Sequence, residues 1–409
     1  MNRKMLFASM ILIAAQIGFL SAKDNRDFEQ NGQEFIPKEK NGEAIQAAID
    51  SANRAGGGRV VLTPGIYPAG TIYLKSNVEL HIPAGAKIQG YADSKKYDDI
   101  KDPELVNIAP EGSRKVLLAA LHAENISITG QGEINGQGPL FYDRNVPKDQ
   151  CFAKPPQPRP RMVQFFDCRN IKFEDVSFVD SPGWTFYLLN CEDVHVHRIR
   201  VTGCQQMINN DGLDIVSCKR VTVSDSFFRT GDDCLIVRAI RKFPDDHAVC
   251  EDVTVTNCVL DSWCQGIRIG CPSDDTIRRC TFSNITFKGK GNGINIDNPK
   301  RYLISKWNDT GFMDLRNLTF TNFVIESEKH PIRIHVGKGV KLKYIGSMTF
   351  SNFRIRSRLP ILLQGNPETM IDQLSFSEIQ LETPGDQTIV SNYLKRLNLN
   401  QVELISDVK

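Results

Sequence analysis

A short alternation of apolar and polar residues recurs along the chain, as at residues 171–178, 280–287 and 348–353. The units begin at Ile171, Val194, Val221, Val253, Cys280, Leu318, Met348, Leu374 and Leu397, so successive starts are separated by 23, 27, 32, 27, 38, 30, 26 and 23 residues. Apolar positions alternate with a period of two, and no unit leaves room for a helix before the next. Each unit therefore predicts short strands.

Two all-β architectures contain many short strands. A β-sandwich would not return the same pattern in the same phase so often, whereas coils of about 23 residues with tolerated insertions are typical of a parallel β-helix. Each turn of such a helix stacks on the last at about 4.8 Å. We therefore predict an all-β chain folded as a parallel β-helix, with its insertions building a cleft on one face.

One helix is predicted, over residues 41–55. Its apolar residues share one face, Asn41 can cap its start, and three glycines follow its end. An open β-helix end would expose core and unpaired strand edges. We therefore place this helix as the N-terminal cap. The proline-rich stretch at residues 155–160 predicts a loop.

The N-terminus has the features of a secretory signal. Basic residues precede an apolar stretch from Met5 to Leu20, and the small residues Ser21 and Ala22 follow. This pattern predicts a signal peptide over residues 1–22, a mature β-helix over residues 23–409, and a periplasmic or extracellular location. No other stretch approaches the roughly 18 apolar residues that a membrane-spanning helix needs.

Composition limits the classes of molecule that the protein is expected to bind. The 50 Lys and Arg nearly balance the 48 Asp and Glu, and no basic run is interleaved with aromatics, which argues against nucleic acid. Four of the 11 cysteines share one position of the repeat, namely Cys168, Cys191, Cys218 and Cys250. We predict that most cysteines are small buried core residues rather than disulfides or zinc ligands. No cofactor or metal is expected, and a monomer is predicted.

A cluster of carboxylates has the residue types that sugar chemistry requires. Alignment on the repeat places residues 211–217 above residues 232–238, so that Asp211 and Asp232 share one column. The same column contains Trp184 on the coil before, Gln265 and Asn292 on the coils after, and then His330. Hydrolysis of a glycosidic bond needs one acid and one carboxylate, and crowding raises the pKa of at least one of them. The alternative is that Asp211, Asp214, Asp232 and Asp233 are turn residues or Ca²⁺ ligands.

Residues 209–214 (Asn-Asn-Asp-Gly-Leu-Asp) and 231–234 (Gly-Asp-Asp-Cys) resemble the Asn-Thr-Asp and Asp-Asp motifs of glycoside hydrolase family 28, the polygalacturonases and rhamnogalacturonases. Residues 130–138, 159–160 and 181–184 support the resemblance, which covers roughly residues 42–298. It implies a right-handed β-helix and hydrolysis with inversion. In that family Asp232 would be the general acid, and Asp211 and Asp233 would activate water. Asp232 and Asp233 can share a site only if the strand bends there.

Two departures from the family concern the substrate. The Gly-His-Gly motif falls on residues 264–266, so Gln265 replaces the histidine, and the carboxylate-gripping Arg-Ile-Lys falls on residues 295–297, which contain Asn295 and Asp297. An aspartate there would repel a carboxylate. Two arginines, Arg268 and Arg333, are predicted on the coils that flank Asn295, and Arg238 is predicted nearby. These arginines either supply a cation to the substrate or pair with the aspartates.

The sequence thus predicts an exported glycoside hydrolase acting on a pectin-type polysaccharide or oligosaccharide. Its predicted substrate-binding residues are Asn209, Asp214, Trp184, Arg238, Gln265, Arg268, Asn292, Asn295 and Arg333. Trp184 is compatible with stacking on a sugar or with a place in the core. The alternative functions are hydrolysis of a neutral or atypical glycan linkage, a polysaccharide lyase, and a non-catalytic glycan-binding β-helix.

Overall fold

The computed structural model describes residues 28–102, 114–243, 245–271, 273–299, 312–384 and 386–405. The predicted signal peptide lies outside these residues. The elements in chain order are β1 (Phe28–Asn31), β2 (Glu34–Pro37), α1 (Gly42–Arg54), β3 (Gly58–Val61), β4 (Gly65–Ala69), β5 (Ile72–Tyr73), β6 (Val78–His81), β7 (Ala86–Gly90), β8 (Val116–Leu121), β9 (Glu124–Thr129), β10 (Glu133–Asn135), β11 (Arg161–Phe166), β12 (Arg169–Glu174), β13 (Ser177–Val179), β14 (Phe186–Leu189), β15 (Glu192–His197), β16 (Arg200–Thr202), β17 (Leu213–Val216), β18 (Lys219–Ser224), β19 (Phe227–Thr230), β20 (Leu235–Arg238), β21 (Val249–Ser262), β22 (Ile267–Ile269), β23 (Thr276–Gly289), β24 (Ile294–Asn298), β25 (Asp314–Ser327), β26 (Ile332–Val336), β27 (Tyr344–Ile345), β28 (Met348–Ser357), β29 (Ile361–Gln364), β30 (Leu374–Glu382), β31 (Ile389–Asn392) and β32 (Leu397–Ile405).

The strands form a right-handed parallel β-helix, as the sequence predicts. One 11-stranded sheet takes one strand from each coil in strict chain order, from β5 to β31, and we call it the site sheet. A 21-stranded sheet forms the remaining wall. Among the described strands, only β1 and β2 pair in antiparallel fashion.

The register confirms the repeat position by position. Ile171 pairs with Val194, and each later repeat start pairs with the start of the next unit, through to Leu374 and Leu397. All nine repeat starts therefore occupy one column, because each must place its apolar residues on the core side. Insertions occur at both ends of the site-sheet strands rather than at one end. Residues 136–160 precede β11, and residues 239–248 follow β20.

The interior is a stack of like residues. The rings of Phe282, Phe320, Phe350 and Phe376 lie parallel, with successive centroids 5.0, 4.8 and 4.7 Å apart, which is the spacing of the coils. All eleven cysteines are free thiols, and eight are buried, including the predicted four in one column. The prediction that most are core residues is confirmed.

The N-terminal helix α1 covers the first coils as predicted. The Asn41 side chain accepts a hydrogen bond from the Ala44 amide at 2.8 Å and so caps the first turn. Its buried face, Ile45, Ala48, Ile49 and Ala52, joins the main core. Gly57, with φ of 141°, donates to the Ala52 carbonyl and ends the helix.

Candidate active site

Two aspartates stand at matching positions just before strands of the site sheet. Asp211 lies two residues before β17, and Asp233 lies two residues before β20. The Gly212 amide donates to the Asp233 carbonyl at 2.9 Å, and the Thr185 amide donates to the Asp211 carbonyl at 2.8 Å. The parallel ladder therefore stacks the two carboxylates on adjacent coils.

The column of residues seen in the structure differs from the predicted column at one position. It consists of Trp184, Asp211, Asp233, Gln265, Asn292 and His330, with Asp233 in the place predicted for Asp232. The predicted alignment matched Leu213 with Cys234, but the ladder pairs Leu213 with Leu235. Register follows the residues that face the core, and a slip of one residue would turn the apolar positions outward.

Asp232 joins the cluster through the turn that precedes β20. One of its carboxylate oxygens accepts from the Asn209 amide at 3.0 Å and the other from the Asp233 amide at 2.9 Å. The carboxylates of Asp232 and Asp233 and the Cys264 thiol each offer an atom within 4.8 Å of the others. The backbone therefore bends at Asp232 and Asp233, as a shared site requires. The bend lies in the turn before β20 and not within a strand.

A side chain without a predicted role fixes this turn. The Asn210 side-chain oxygen accepts from the amides of Gly231 at 2.9 Å and Asp232 at 3.1 Å. A Cβ at Gly231 would approach the Met207 carbonyl to 2.0 Å, so only glycine fits there. An asparagine in a turn is a weak signal in sequence, because such residues commonly bond to nearby backbone.

Burial and the proximity of other carboxylates raise the pKa values of Asp211 and Asp233. The pKa of Asp211 is raised well above its usual range by burial first and then by Asp232, Asp214 and Asp233, while Arg238 opposes the rise. One Asp211 oxygen is buried without a hydrogen-bond partner. Burial also raises the pKa of Asp233, with Arg268 acting against it. The cluster therefore retains a proton where isolated carboxyl groups would be ionised.

The three predicted arginines pair with aspartates. Arg238 lies 3.1 Å from Asp214, and Arg268 lies 3.1 Å from Asp233. Arg333 lies 3.0 Å from Asp297. Of the two alternatives, pairing with the aspartates is the one that the structure shows. Burial raises the pKa of Asp214 to about 7 even though Arg238 lowers it.

Asp297 is a further site residue, and its charge is offset. One oxygen lies 3.0 Å from both Arg333 and His335, and the other lies 3.9 Å from Arg268. Burial raises its pKa, but His335, Arg333 and Arg268 outweigh burial, and the net shift is downward. A line of alternating charges thus runs from Asp233 through Arg268 and Asp297 to Arg333.

The predicted amides mostly bond to one another and to the arginines. The Gln265 side-chain oxygen accepts from the Asn292 side chain at 2.8 Å. The backbone amide of Gln265 donates to the Asp233 carboxylate at 3.2 Å. The side-chain oxygen of Asn295 accepts from Arg333 at 3.0 Å, and that of Asn209 from Arg159 at 2.9 Å. These residues hold the walls of the site in place.

The structure distinguishes between two tryptophans. Trp184 is only 4% exposed, and the guanidinium groups of Arg161 and Arg238 lie 4.5 and 5.1 Å from its ring, although it also lines a small pocket of about 200 Å³ together with Asn209. Trp263 had no predicted role, yet it is half-buried and lines a groove of about 910 Å³. Its neighbour Ser262 donates to the Asp232 carbonyl at 2.6 Å, so the groove adjoins the carboxylates.

The sequence profile of glycosyl hydrolases family 28 matches residues 107–243, which include Asp211, Asp232 and Asp233. An endo-polygalacturonase of Pectobacterium carotovorum subsp. carotovorum is 23% identical over 353 residues, covering 76% of this chain and 86% of that protein. The chain is similar to members of glycoside hydrolase family 28 over the stretch that holds these three aspartates. A polygalacturonase of Persea americana is 28% identical over 51% of this chain, but the match spans only 42% of that protein.

Two solved structures share the fold of this chain. An exopolygalacturonase from Thermotoga maritima has a TM-score of 0.64 at 21% identity, covering 92% of this chain and 93% of that chain. A polygalacturonase from Erwinia carotovora ssp. carotovora has a TM-score of 0.65 at 18% identity, covering 89% and 93%. The family match and the polygalacturonase relatives indicate that the chain is a glycoside hydrolase. Among the described residues, no helix is long and apolar enough to cross a membrane.

Proposed function

We propose that this protein hydrolyses glycosidic bonds in a pectin-type polysaccharide, and that residues 23–409 form its exported catalytic domain. The observation that carries the proposal is the convergence of Asp211, Asp232 and Asp233 before two adjacent strands of one sheet. The relatives named as polygalacturonases support the substrate class. Two carboxyl groups in different environments are what a glycosidase requires.

Asp232 is proposed as the general acid. It is the most accessible of the three carboxylates, since Asp211 and Asp233 are buried. Asp211 and Asp233 activate a water molecule: both orient it, and Asp233 accepts its proton. The water oxygen bonds to the anomeric carbon while the bond to the leaving oxygen breaks, and Asp232 protonates that oxygen, which inverts the anomeric carbon. Arg268 favours the ionised form of Asp233, the form that a base needs.

Product release from homogalacturonan, rhamnogalacturonan and neutral glycans tests the proposal, with Asp232→Asn as the inactive variant and the exposed Asp225→Asn as its matched control. We expect the wild type and the control to release reducing ends from a pectic substrate without products that absorb in the ultraviolet. We expect the Asp232 variant to lose roughly a thousandfold in kcat. Ultraviolet-absorbing products would indicate a lyase, and binding without cleavage would indicate a glycan-binding module. Either result would overturn the proposal.

A further inference from the structure

Asp297 lies in the site sheet with three basic side chains around its carboxylate. It belongs to β24, one coil beyond Arg268 of β22 and one coil before Arg333 and His335 of β26. One Asp297 oxygen lies 3.0 Å from both Arg333 and His335, and the other lies 3.9 Å from Arg268. The Asp297 side chain is 9% exposed, so these groups rather than water offset its charge.

Arg268 contacts two carboxylates with different ends of its guanidinium group. Its Nη1 donates to Asp233 at 3.1 Å, and its Nη2 faces Asp297 at 3.9 Å and donates to the Cys271 sulfur at 3.1 Å. The Arg268 side chain is 17% exposed, which limits its freedom to move away from either carboxylate. One positive charge is therefore shared between Asp233, in the candidate catalytic cluster, and Asp297, outside it.

Arg268 is the cation that pairs with Asp233, and the other neighbours of Asp233 in the cluster are acidic groups and a thiol. Asp211 and Asp232 are its acidic neighbours, and the Cys264 thiol lies within 4.8 Å of its carboxylate. The stability of the negative charge on Asp233 therefore depends on how much of the Arg268 charge it receives.

The remaining polar groups around this pair do not supply a second cation to Asp233. Arg238, beside Arg268, lies 3.1 Å from Asp214, and both of these side chains are buried. Gln265 donates its backbone amide to Asp233 at 3.2 Å, and its side chain carries no charge. A change outside the cluster therefore reaches Asp233 through Arg268.

We propose that Asp297 is a positioning residue for catalysis, because it divides the positive charge of Arg268 between itself and Asp233. The inference rests on the proposed function, in which Asp233 accepts a proton from water. An undivided Arg268 charge would stabilise the ionised form of Asp233 more strongly and make this carboxylate a weaker base. Arg333 and His335 hold Asp297 in place, so that it draws part of the Arg268 charge away from the cluster.

A purely structural role for Asp297 makes a different prediction. If Asp297 served only to neutralise Arg333 and His335, replacing it by asparagine would destabilise the fold without changing the pKa of Asp233. If it divides the charge of Arg268, the same replacement lets Arg268 pair fully with Asp233, which then becomes protonated at a lower pH. A pH profile therefore separates the two roles.

The acid limb of the pH profile of kcat/KM is the first readout. We expect Asp297→Asn to move this limb to lower pH by about half a unit and to lower kcat about threefold at the optimum. Asp297→Glu keeps the carboxylate and should leave the limb near its wild-type position. Asp314→Asn is the matched control, since Asp314 is similarly buried and pairs with Arg316 at 2.6 Å on the 21-stranded sheet, and it should leave the profile unchanged.

Two further variants test whether the effect passes through Arg268. In an Arg268→Gln background, Asp297→Asn should lose most of its effect on the acid limb. Arg333→Gln should move the limb to higher pH, since Asp297 then draws more of the Arg268 charge away from Asp233. Because Arg333 is 21% exposed, this variant keeps the test decisive if Asp297→Asn fails to fold.

Three results would overturn the inference. They are an acid limb that Asp297→Asn leaves in place or moves to higher pH, a shift of equal size in the Arg268→Gln background, and a limb that Arg333→Gln leaves unmoved.

The pKa of Asp233 is also measured without a substrate. A ¹³C NMR titration of the carboxyl groups reports it, and the signal that disappears in Asp233→Asn identifies the residue. We expect the Asp233 signal of the Asp297→Asn protein to titrate about half a pH unit lower than that of the wild type. An unshifted signal would refute the role of Asp297. Failure of the wild type to cleave any pectic glycan would refute the proposed function alone, because this titration requires no catalysis.

Discussion

Replacing Asp214 by Asn is expected to remove part of the loss of folding stability that the wild type undergoes as the pH rises. Asp214 is fully buried beside Arg238, and burial raises its pKa from 3.8 to about 7. A carboxyl whose folded-state pKa is raised stabilises the fold below its unfolded-state pKa, and this contribution is lost as the pH rises through the folded-state value. The window therefore runs from about pH 4 to about pH 7.

The magnitude follows from the width of that window. About three pKa units, at about 1.4 kcal/mol per unit, correspond to about 4 kcal/mol between the two ends. The neighbouring carboxylates share this proton, so the value is an upper bound for Asp214 alone. Loss of the Arg238 partner lowers the stability of the variant at every pH. The difference in unfolding free energy between variant and wild type should nevertheless shift in favour of the variant as the pH rises from 4 to 8.

Urea unfolding at half-unit pH steps measures this difference directly. Asp297→Asn is the matched control, because the pKa of Asp297 is lowered by His335, Arg333 and Arg268 against the effect of burial. Its contribution to stability is present above the unfolded-state pKa and is lost as the pH falls through a lower folded-state value, so its window lies below about pH 4. A difference for Asp214→Asn that stays flat within about 1 kcal/mol from pH 4 to 8 would refute the reasoning.

Three further predictions concern the site and the core. Arg268→Gln should raise the pKa of Asp233, since Arg268 lowers it, and so move the acid limb of the pH profile of kcat/KM to higher pH; an unmoved limb would argue against Asp233 as the base. Asn210→Ala should lower kcat more than tenfold with the circular dichroism spectrum unchanged, because the turn that carries Asp232 loses its acceptor; full activity would exclude this role. Phe320→Ala should cost about 3–5 kcal/mol in urea unfolding, because the ring is fully buried in the phenylalanine stack; a loss below 1 kcal/mol would contradict that packing.

Most of the architecture was predictable because the coils repeat. Every repeat start falls in one column of the structure, and the capping helix occupies residues 42–54 within the predicted range of 41–55. The columns of Arg268, Asn295 and Arg333 were also predicted correctly, since register along strands follows directly from the core-facing positions. The one error of register fell in the turn before β20, where core-facing alternation no longer guides an alignment.

The sequence by itself determined the β-helix, its stacking order and the three aspartates, because apolar alternation and short motifs are local properties of the chain. Only the tertiary structure decided the partners of these groups. Arg268 lies between Asp233 and Asp297, Trp184 is more deeply buried than Trp263, and among the residues that the structure describes Lys288 has a carboxylate partner whereas Lys290 has none. Turns between strands have no periodicity from which such contacts can be read, and side-chain charges find their partners across coils that are far apart in sequence.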